Sequence, residues 1–374
     1  MKPRDLAGFD LPSGERAARV AWARLVEPEH HAVVERIAGQ GAEEALRTLD
    51  LSSPLGRQLV PRLELLDVRR DLDIARRTGT RIVVPGDPEW PAGVDDLEWP
   101  PLCLWVVGPL DLAEQAARSV AVVGARAATL YGTRQAQDLG AGLAERGVSV
   151  VSGAAYGIDG AAHRGALGVE GPTIAFTAAG VDRPYPRGHD GLFAQLRSHG
   201  LVVSELPPGC APTKGRFIAR NRLIATVTQG TVVVEAGLRS GSSHTAGKAL
   251  DHNRVLCAVP GSVESAVSAG CHQLIRNKNA ILVTDAAEVM EAVGPIGELA
   301  PEKRGEQRPG DGLDPVQGAV YGALPVRRPA TVDELAVRAG LDARQVSSAL
   351  GFLALAGLSR QEPQGWRKAP QPST

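Results

Sequence analysis

The sequence is poor in aromatic residues and in cysteine. Phe, Trp and Tyr make up 4% of its 374 residues, so an exposed ring is rare and informative. The four cysteines are widely spaced and form no C-x-x-C pair, which predicts reduced thiols rather than a disulfide framework or a zinc site. We therefore expect neither a metal nor a cofactor.

The sequence also lacks a long apolar run. No stretch approaches the ~20 apolar residues that a membrane helix needs. Residues 1–20 mix acids with bases and contain no apolar core, which argues against a secretory signal or a transit peptide. These absences predict a cytoplasmic protein that does not enter the membrane.

A formal net charge of −1 conceals an uneven distribution of charge. Residues 1–119 carry 15 bases and 20 acids, whereas residues 183–222 carry 7 bases and 2 acids. Within the second region, the stretch TKGRFIARNRL (213–223) places four bases around one ring, Phe217, without any acid. Such a local surplus predicts a polyanionic partner.

Apolar spacing divides the chain into five segments. Residues 1–78 have helical periodicity, and residues 79–117 contain short β-like runs that lead into the next domain. Residues 118–293 form the main domain, and the polar, Gly- and Pro-rich residues 294–314 predict a linker. Residues 315–374 predict a winged-helix domain, because two helices and a short hairpin follow one another there.

The main domain alternates continuous apolar runs with helical segments. Runs that are apolar on both faces are typical of strands buried in a parallel sheet. The predicted fold class is α/β, with a doubly wound, mostly parallel Rossmann-like sheet between a small helical N-terminal domain and a C-terminal winged helix. The predicted strands are 119–124, 148–153, 172–177, 201–206, 230–237, 254–261 and 280–285. The predicted helices between them are 136–146, 160–167, 191–199, 245–251 and 265–275.

The C-terminal domain carries clear helix boundaries. Thr331 with Glu334 predicts a capping box, Gly340 ends that helix, and Asp342 begins a second helix that Gly357 ends. Two functions stay open for this module. Arg344, Ser347 and Ser348 lie on the candidate recognition helix for a duplex groove, but 10 bases against 9 acids in residues 294–374 fit a protein-interaction module equally well.

The loops after the predicted strands are the candidate binding site. Ligands of doubly wound folds bind beyond the carboxyl ends of the strands. These loops contain glycines that let backbone N–H groups approach a phosphate, at positions 124, 153, 157, 237 and 241. Five bases that suit phosphate oxygens lie in or beside the same loops: Arg126, Arg187, Lys214, Arg216 and Arg239.

Two alternative site chemistries have little support in the sequence. G-x-G-x-x-G does not follow the first strand of the main domain, and no acid ends the second, which disfavours a dinucleotide site. Asp159 is more simply a helix cap and His163 a helix-face residue. No nucleophile, acid–base pair or metal cluster is evident, so no catalytic residue is predicted.

The loop motifs resemble the DprA/Smf family of DNA-processing proteins. The resemblance covers the whole α/β domain, and the helical N-terminal segment is similar to the family's SAM or helix-hairpin-helix-like domain. The motifs that carry it are VAVVGAR, SGAAYGIDGAAHRGAL, AAGVDRPYPRGH, RFIARNRLIA, VVVEAGLRSGS, AVPGS and GCHQLI, in this order.

The resemblance implies binding and protection of single-stranded DNA during natural transformation, and loading of the RecA recombinase onto that strand by a homodimer. It implies contacts to phosphates and a base from Arg126, Arg187, Lys214 and Phe217, with help from Arg216. Residues implied to shape or support the pocket are Ser152, Gly153, Gly157, Asn221 and Arg222.

The sequence departs from the family pattern at three places. Tyr156 replaces an Arg and offers a stacking surface in place of a charge. His244 follows Ser243 where the family has Leu-Ile, and Asn279 replaces a Gly. Each change affects the expected shape of the pocket.

Three questions stay open at this level. Phe217 either stacks on a base or packs into a core. The main rival function is a nucleotide-processing enzyme of the nucleoside monophosphate phosphoribohydrolase type, in which Glu235 would act, although its paired glycines are missing. A sensor of a nucleotide-derived small ligand is the third possibility.

Overall fold

The computed structural model describes residues 6, 9, 11–294 and 310–370. The chain divides into two compact units, Met1–Ala300 and Pro301–Thr374. Each unit contains a hydrophobic core. The predicted linker lies outside the described residues from 295 to 309.

One nine-stranded sheet organises the first unit. Strands β3 to β9 pair in parallel, and β1 and β2 extend one edge in antiparallel orientation. The spatial order is β1-β2-β6-β5-β4-β3-β7-β8-β9, which confirms the predicted mostly parallel α/β class. The strands are β1 (Arg81–Val83), β2 (Leu104–Val107), β3 (Ser119–Val123), β4 (Ser149–Ser152), β5 (Thr173–Phe176), β6 (Leu201–Ser204), β7 (Gly230–Val233), β8 (Val255–Ala258) and β9 (Ile281–Leu282).

Both faces of this sheet are buried. Val120 and Val122 of β3 belong to one hydrophobic cluster, while Ala121 and Val123 belong to another. Successive side chains of a strand point to opposite faces, so the continuous apolar runs are explained by helices on both sides. Strand β9 is the exception: Ile281 is 46% exposed, because this strand lies at the edge and pairs only with β8.

Eight helices of the first unit follow the strands. The helix predicted from residue 136 begins earlier, because the Thr129 hydroxyl accepts a bond from the Gly132 N–H at 3.1 Å and caps it. The helix predicted from residue 265 begins later, since Ser265 and Ser268 form turn hydrogen bonds. These helices are α6 (Leu112–Ala117), α7 (Leu130–Ala144), α8 (Ile158–Gly168), α9 (Asp190–His199), α10 (Lys214–Thr226), α11 (Ser242–Asp251), α12 (Ala269–Lys278) and α13 (Ala286–Val293).

Five helices precede the sheet, as the periodicity of residues 16–78 predicts. They share a core with the sheet, since Trp22, Trp105 and Val202 belong to one buried cluster. Arg16 also pairs with Asp87 at 2.7 Å across the junction. The helices are α1 (Glu15–Leu25), α2 (His31–Gln40), α3 (Ala42–Arg47), α4 (Pro54–Leu63) and α5 (Val68–Thr78).

The second unit has the helices and hairpin of a winged helix. The capping box of Thr331 and Glu334 is present, Gly340 has a left-handed φ of 66°, and Asp342 caps the next helix. The elements are α14 (Pro315–Ala323), α15 (Val332–Ala339), α16 (Ala343–Leu355), β10 (Ser359–Glu362) and β11 (Gly365–Lys368). In the described part of the chain, no helix is both long enough and apolar enough to span a bilayer.

Candidate nucleic-acid interface

A cleft of about 850 Å³ opens at the carboxyl ends of the central parallel strands. Strand β3 pairs with β4 on one side and β7 on the other, so the chain reverses its winding there and the loops diverge. We call this space the ligand cleft. Its polar and aromatic lining residues are Arg126, Asp159, Tyr185, Thr213, Lys214, Phe217, Arg220, Asn221, Arg239, Ser240, Ser242, His244 and Thr245.

The side chains that line the ligand cleft carry more positive than negative charge. Four basic residues line it, namely Arg126, Lys214, Arg220 and Arg239, against one acid, Asp159. The cleft therefore suits an anionic ligand.

Helix α10 supplies one wall through a single face. The Thr213 hydroxyl caps it by accepting a bond from the Arg216 N–H at 3.3 Å. Lys214, Phe217 and Asn221 recur at spacings of three and four residues, so they project into the cleft side by side. On the other faces of the helix, Ala219, Arg222 and Leu223 are buried against the domain.

The Phe217 ring lies at the centre of a cluster of cations and rings. The Arg126 guanidinium carbon is 4.7 Å from the ring centroid and that of Arg220 is 5.8 Å away, within cation–π range. The Tyr185 ring is tilted by 55° with its centroid at 5.5 Å. Phe217 is half-buried, so it belongs to the wall of the cleft rather than to the core.

Arg220 places a buried charge under this wall. It is 6% exposed and donates to the carbonyls of Gly153, at 2.9 Å, and Phe176. Burial lowers the pKa of Arg220 to about 10, a change that Asp159 opposes and Arg126 reinforces. The guanidinium thus stays charged at neutral pH and adds to the positive potential of the cleft.

Two glycines let the loops after the strands pack closely against neighbouring residues. A Cβ on Gly153 would lie 2.4 Å from the Arg220 guanidinium. Gly157 has a φ of +77°, and its Cβ would lie 2.2 Å from the Ala125 carbonyl oxygen. Neither glycine lines the ligand cleft itself, and the pocket-shaping role that the resemblance implies for both stays a prediction.

Asp159 is the one acid in the lining. It is 8% exposed at the start of α8. Burial raises the pKa of Asp159, against the opposing effect of the Arg220 charge. The carboxyl group offsets part of the buried Arg220 charge.

Three of the predicted site residues are engaged elsewhere. The Ser152 hydroxyl is fully buried and donates to the Val122 carbonyl at 2.7 Å. Arg216 forms a bidentate pair with Glu27 at 2.8 and 2.9 Å. Arg222 is the third, and none of the three lines the ligand cleft.

Arg222 is a structural cation. It is 2% exposed and holds the Glu205 carboxylate through two bonds of 2.9 and 2.8 Å. It also donates to the Trp99 carbonyl at 3.2 Å. These contacts tie α10 to the loops that carry Glu205 and Trp99, and the pocket-supporting role implied for Arg222 stays a prediction.

Tyr185 is a lining residue that the sequence did not single out. The notable base of its loop, Arg187, lies exposed in a short 3-10 helix outside the lining, whereas Tyr185, two residues earlier, lines the cleft. The scarcity of aromatic residues is the signal that could have pointed to this ring. The DNA contact predicted for Arg187 stays a prediction.

The departures from the family pattern have different structural settings. His244 lines the ligand cleft. Tyr156 is 48% exposed and contacts the edge of the His189 ring at 4.8 Å, outside the lining. Asn279 has a φ of 53° at the end of α12, a left-handed position that Gly and Asn both tolerate.

The acid of the rival enzyme is used structurally. Glu235 is 1% exposed, and its oxygens accept bonds from the Thr129 N–H at 2.9 Å and hydroxyl at 2.5 Å. Gly132 packs so closely that a Cβ there would lie 2.3 Å from this carboxylate. Glu235 therefore anchors the start of α7 and does not line the cleft.

Two protein-family models match this chain, one in each of its two compact units. The family model of DNA recombination-mediator protein A matches residues 81–294, and that of the DprA winged helix domain matches residues 304–365. Over 367 residues, 93% of each chain, the sequence is 46% identical to a DNA processing protein DprA of Mycobacterium tuberculosis.

Two solved structures share the fold. DprA from Streptococcus pneumoniae superimposes with a TM-score of 0.63 at 29% identity, covering 76% of this chain and 100% of that one. DprA from Helicobacter pylori, whose structure addresses its single-stranded DNA binding mode, gives a TM-score of 0.51 at 27% identity, covering 57% of this chain and 96% of that one.

Proposed function

The chain belongs to the DprA/Smf family of DNA-processing proteins, and on that premise we propose that it binds single-stranded DNA in the ligand cleft. The observation that carries the proposal is the cluster around Phe217. A half-buried ring with two guanidinium groups within 6 Å joins a stacking surface to phosphate-binding charges.

The proposed roles follow from placement. Arg126 and Lys214 neutralise successive phosphates, and Phe217, with Tyr185 beside it, offers a face to a base. Arg187 supplies a third phosphate contact from the rim. Each base stacked on an aromatic ring contributes ~1–3 kcal/mol.

In the cell, the bound strand would be a recombination substrate. We propose that the protein acts in the cytoplasm as a homodimer, protects incoming single-stranded DNA in natural transformation, and loads the RecA recombinase onto it. This role rests on family membership.

We further propose that the protein acts without catalysis. The support is the position of Glu235, whose two oxygens are occupied by Thr129. Hydrolysis of AMP by the protein, abolished in a Glu235→Ala variant, would instead favour the nucleotide-processing enzyme.

A salt-titrated binding assay tests the proposal. The wild type and an Arg126→Ala/Lys214→Ala variant are titrated with single-stranded DNA, duplex DNA and NAD. Three phosphate contacts predict a log–log salt slope of roughly −2 per protomer for single strands. The double variant should lose about 1.4 of that slope.

The outcomes separate the competing functions. Equal affinity of the wild type and the double variant for single strands would remove the site assignment. Preference for NAD, with no affinity for DNA, would select the small-ligand sensor.

A further inference from the structure

A second cleft, of about 590 Å³, lies between the N-terminal helices and the loops that follow β5 and β6. Helix α5 forms part of one wall, and residues 182–183 and 206–210 form the other. Lys214 lines the ligand cleft, whereas Arg216, two residues further on, lines this second cleft. The first turn of α10 therefore contributes to the lining of both clefts.

The walls of the second cleft are fixed to each other. Arg24 of α1 holds both oxygens of Asp71, at 2.9 and 2.5 Å, and donates to the Pro208 carbonyl at 2.9 Å. Arg216 of α10 binds Glu27 of the N-terminal helices. The cleft is therefore preformed, so a ligand would not have to bring its walls together.

Two of the four acids that line the second cleft are paired with arginines. Asp71 is neutralised by Arg24, and Glu27 is shared between Arg216 and Arg62. Asp182 accepts the Gly209 N–H at 2.8 Å. Asp67 accepts the Arg70 N–H at 2.9 Å. A backbone N–H does not cancel the charge of a carboxylate, so the lining as a whole carries five arginines against four acids.

Among the described residues, two arginines of the second cleft form no ion pair. Arg70 and Arg183 both line it and are exposed, and within the described ranges neither forms an ion pair. Arg70 lies on α5, where four arginines stand against two aspartates. Arg77, two turns further along, continues the same helix face. Exposed arginines therefore recur along this face of α5 beyond the second cleft.

We propose that a single strand bound in the ligand cleft continues over the first turn of α10 into the second cleft, where Arg70 and Arg183 bind its phosphates. This inference rests on the proposed function and adds a second binding segment to it. The N-terminal helices then form part of the DNA path although residues 1–119 are acidic overall.

The test uses strand length to separate the two segments. Oligothymidines of about 6 and about 20 nucleotides are titrated, at several salt concentrations, into the wild type and an Arg70→Ala/Arg183→Ala variant. For the long strand, the variant should bind roughly tenfold more weakly at low salt, with a log–log slope smaller by about 1.4. For the short strand, its affinity should equal that of the wild type.

The control is an Arg118→Ala/Arg146→Ala variant. These exposed arginines precede β3 and β4, at the opposite edge of the sheet, so their removal changes net charge equally and should leave both affinities within about twofold. Unchanged binding of the long strand by the Arg70→Ala/Arg183→Ala variant would overturn the inference, as would an equal loss for both lengths. Failure of the wild type to bind either strand would reject the proposed function itself.

Discussion

At the residue scale, Phe217 shows how one ring takes its role from its neighbours. Its own segment, FIA, is apolar and compatible with a core position. The ring is nevertheless half-buried, with Arg126 at 4.7 Å and Tyr185 at 5.5 Å. Cations bound to phosphates beside a ring are the arrangement that single-strand binding requires.

Substitution of Phe217 separates stacking from packing. Phe217→Leu keeps apolar volume but removes the aromatic face, and we expect about a tenfold loss of affinity for single strands, within the ~1–3 kcal/mol of a stacked base. Phe217→Tyr keeps the face and should bind nearly as the wild type does. Fluorescence anisotropy measures both, and wild-type affinity in the leucine variant would mean that the ring only packs.

At the element scale, helix α10 distributes its four bases among different tasks. Lys214 faces the ligand cleft, Arg216 joins the N-terminal helices, and Arg220 and Arg222 are buried beneath the site. A helix with 3.6 residues per turn sends neighbouring side chains in different directions. One cationic stretch therefore lines the candidate site, contacts the N-terminal segment and supports the domain internally.

Two variants of α10 distinguish buried from exposed ion pairs. Arg222→Met leaves Glu205, 11% exposed, without its partner, and should lower the free energy of unfolding by about 3 kcal/mol. Arg216→Met removes a pair whose Glu27 partner is 47% exposed, and should cost less than about 1 kcal/mol. Urea unfolding compares them, and equal costs would contradict the supporting role of Arg222.

At the scale of the whole molecule, the first unit is stabilised as one structure. Its N-terminal helices and sheet share a buried cluster that includes Trp22 and Trp105. The winged-helix unit has a hydrophobic cluster of its own, built around residues such as Leu335 and Leu350. Changes inside the first unit should therefore affect its helices and sheet together.

Acid should destabilise the first unit through His163. This residue is fully buried, with Nδ1 2.7 Å from the Thr173 hydroxyl, and burial lowers its pKa to about 3, with smaller contributions from His189, Arg164 and Arg220. The unfolded chain binds a proton near its ordinary pKa of 6.5, whereas the folded chain does not, so stability present at neutral pH is lost as the pH falls. Between about pH 7 and pH 5, the loss from this group is about 2 kcal/mol.

A non-titrating variant isolates this effect. His163→Gln should show a smaller decrease in the free energy of unfolding between the two pH values, by about 2 kcal/mol. The exposed His199 supplies the control variant His199→Gln, which should keep the wild-type pH dependence. An identical pH dependence in the wild type and His163→Gln would refute this explanation.

The sequence by itself determined the sheet and the place of the site. Seven apolar runs became seven strands, because segments apolar on both faces are stable only inside a covered sheet. The glycines and bases of the following loops indicated the carboxyl edge, where parallel strands bring their loops together. Exact helix starts, at Leu130 and Ala269, depended on local caps and turns.

Only the tertiary structure decided which of the predicted residues line the ligand cleft. Arg216 meets Glu27, 189 positions away in the sequence, and Arg220 meets the Gly153 carbonyl. Tyr185 enters the ligand cleft, whereas Arg187 stays outside its lining. A side chain's partner depends on contacts between distant segments, and local composition does not encode those contacts. The sequence therefore located the charge, and the fold divided it between internal ion pairs and the lining of the ligand cleft.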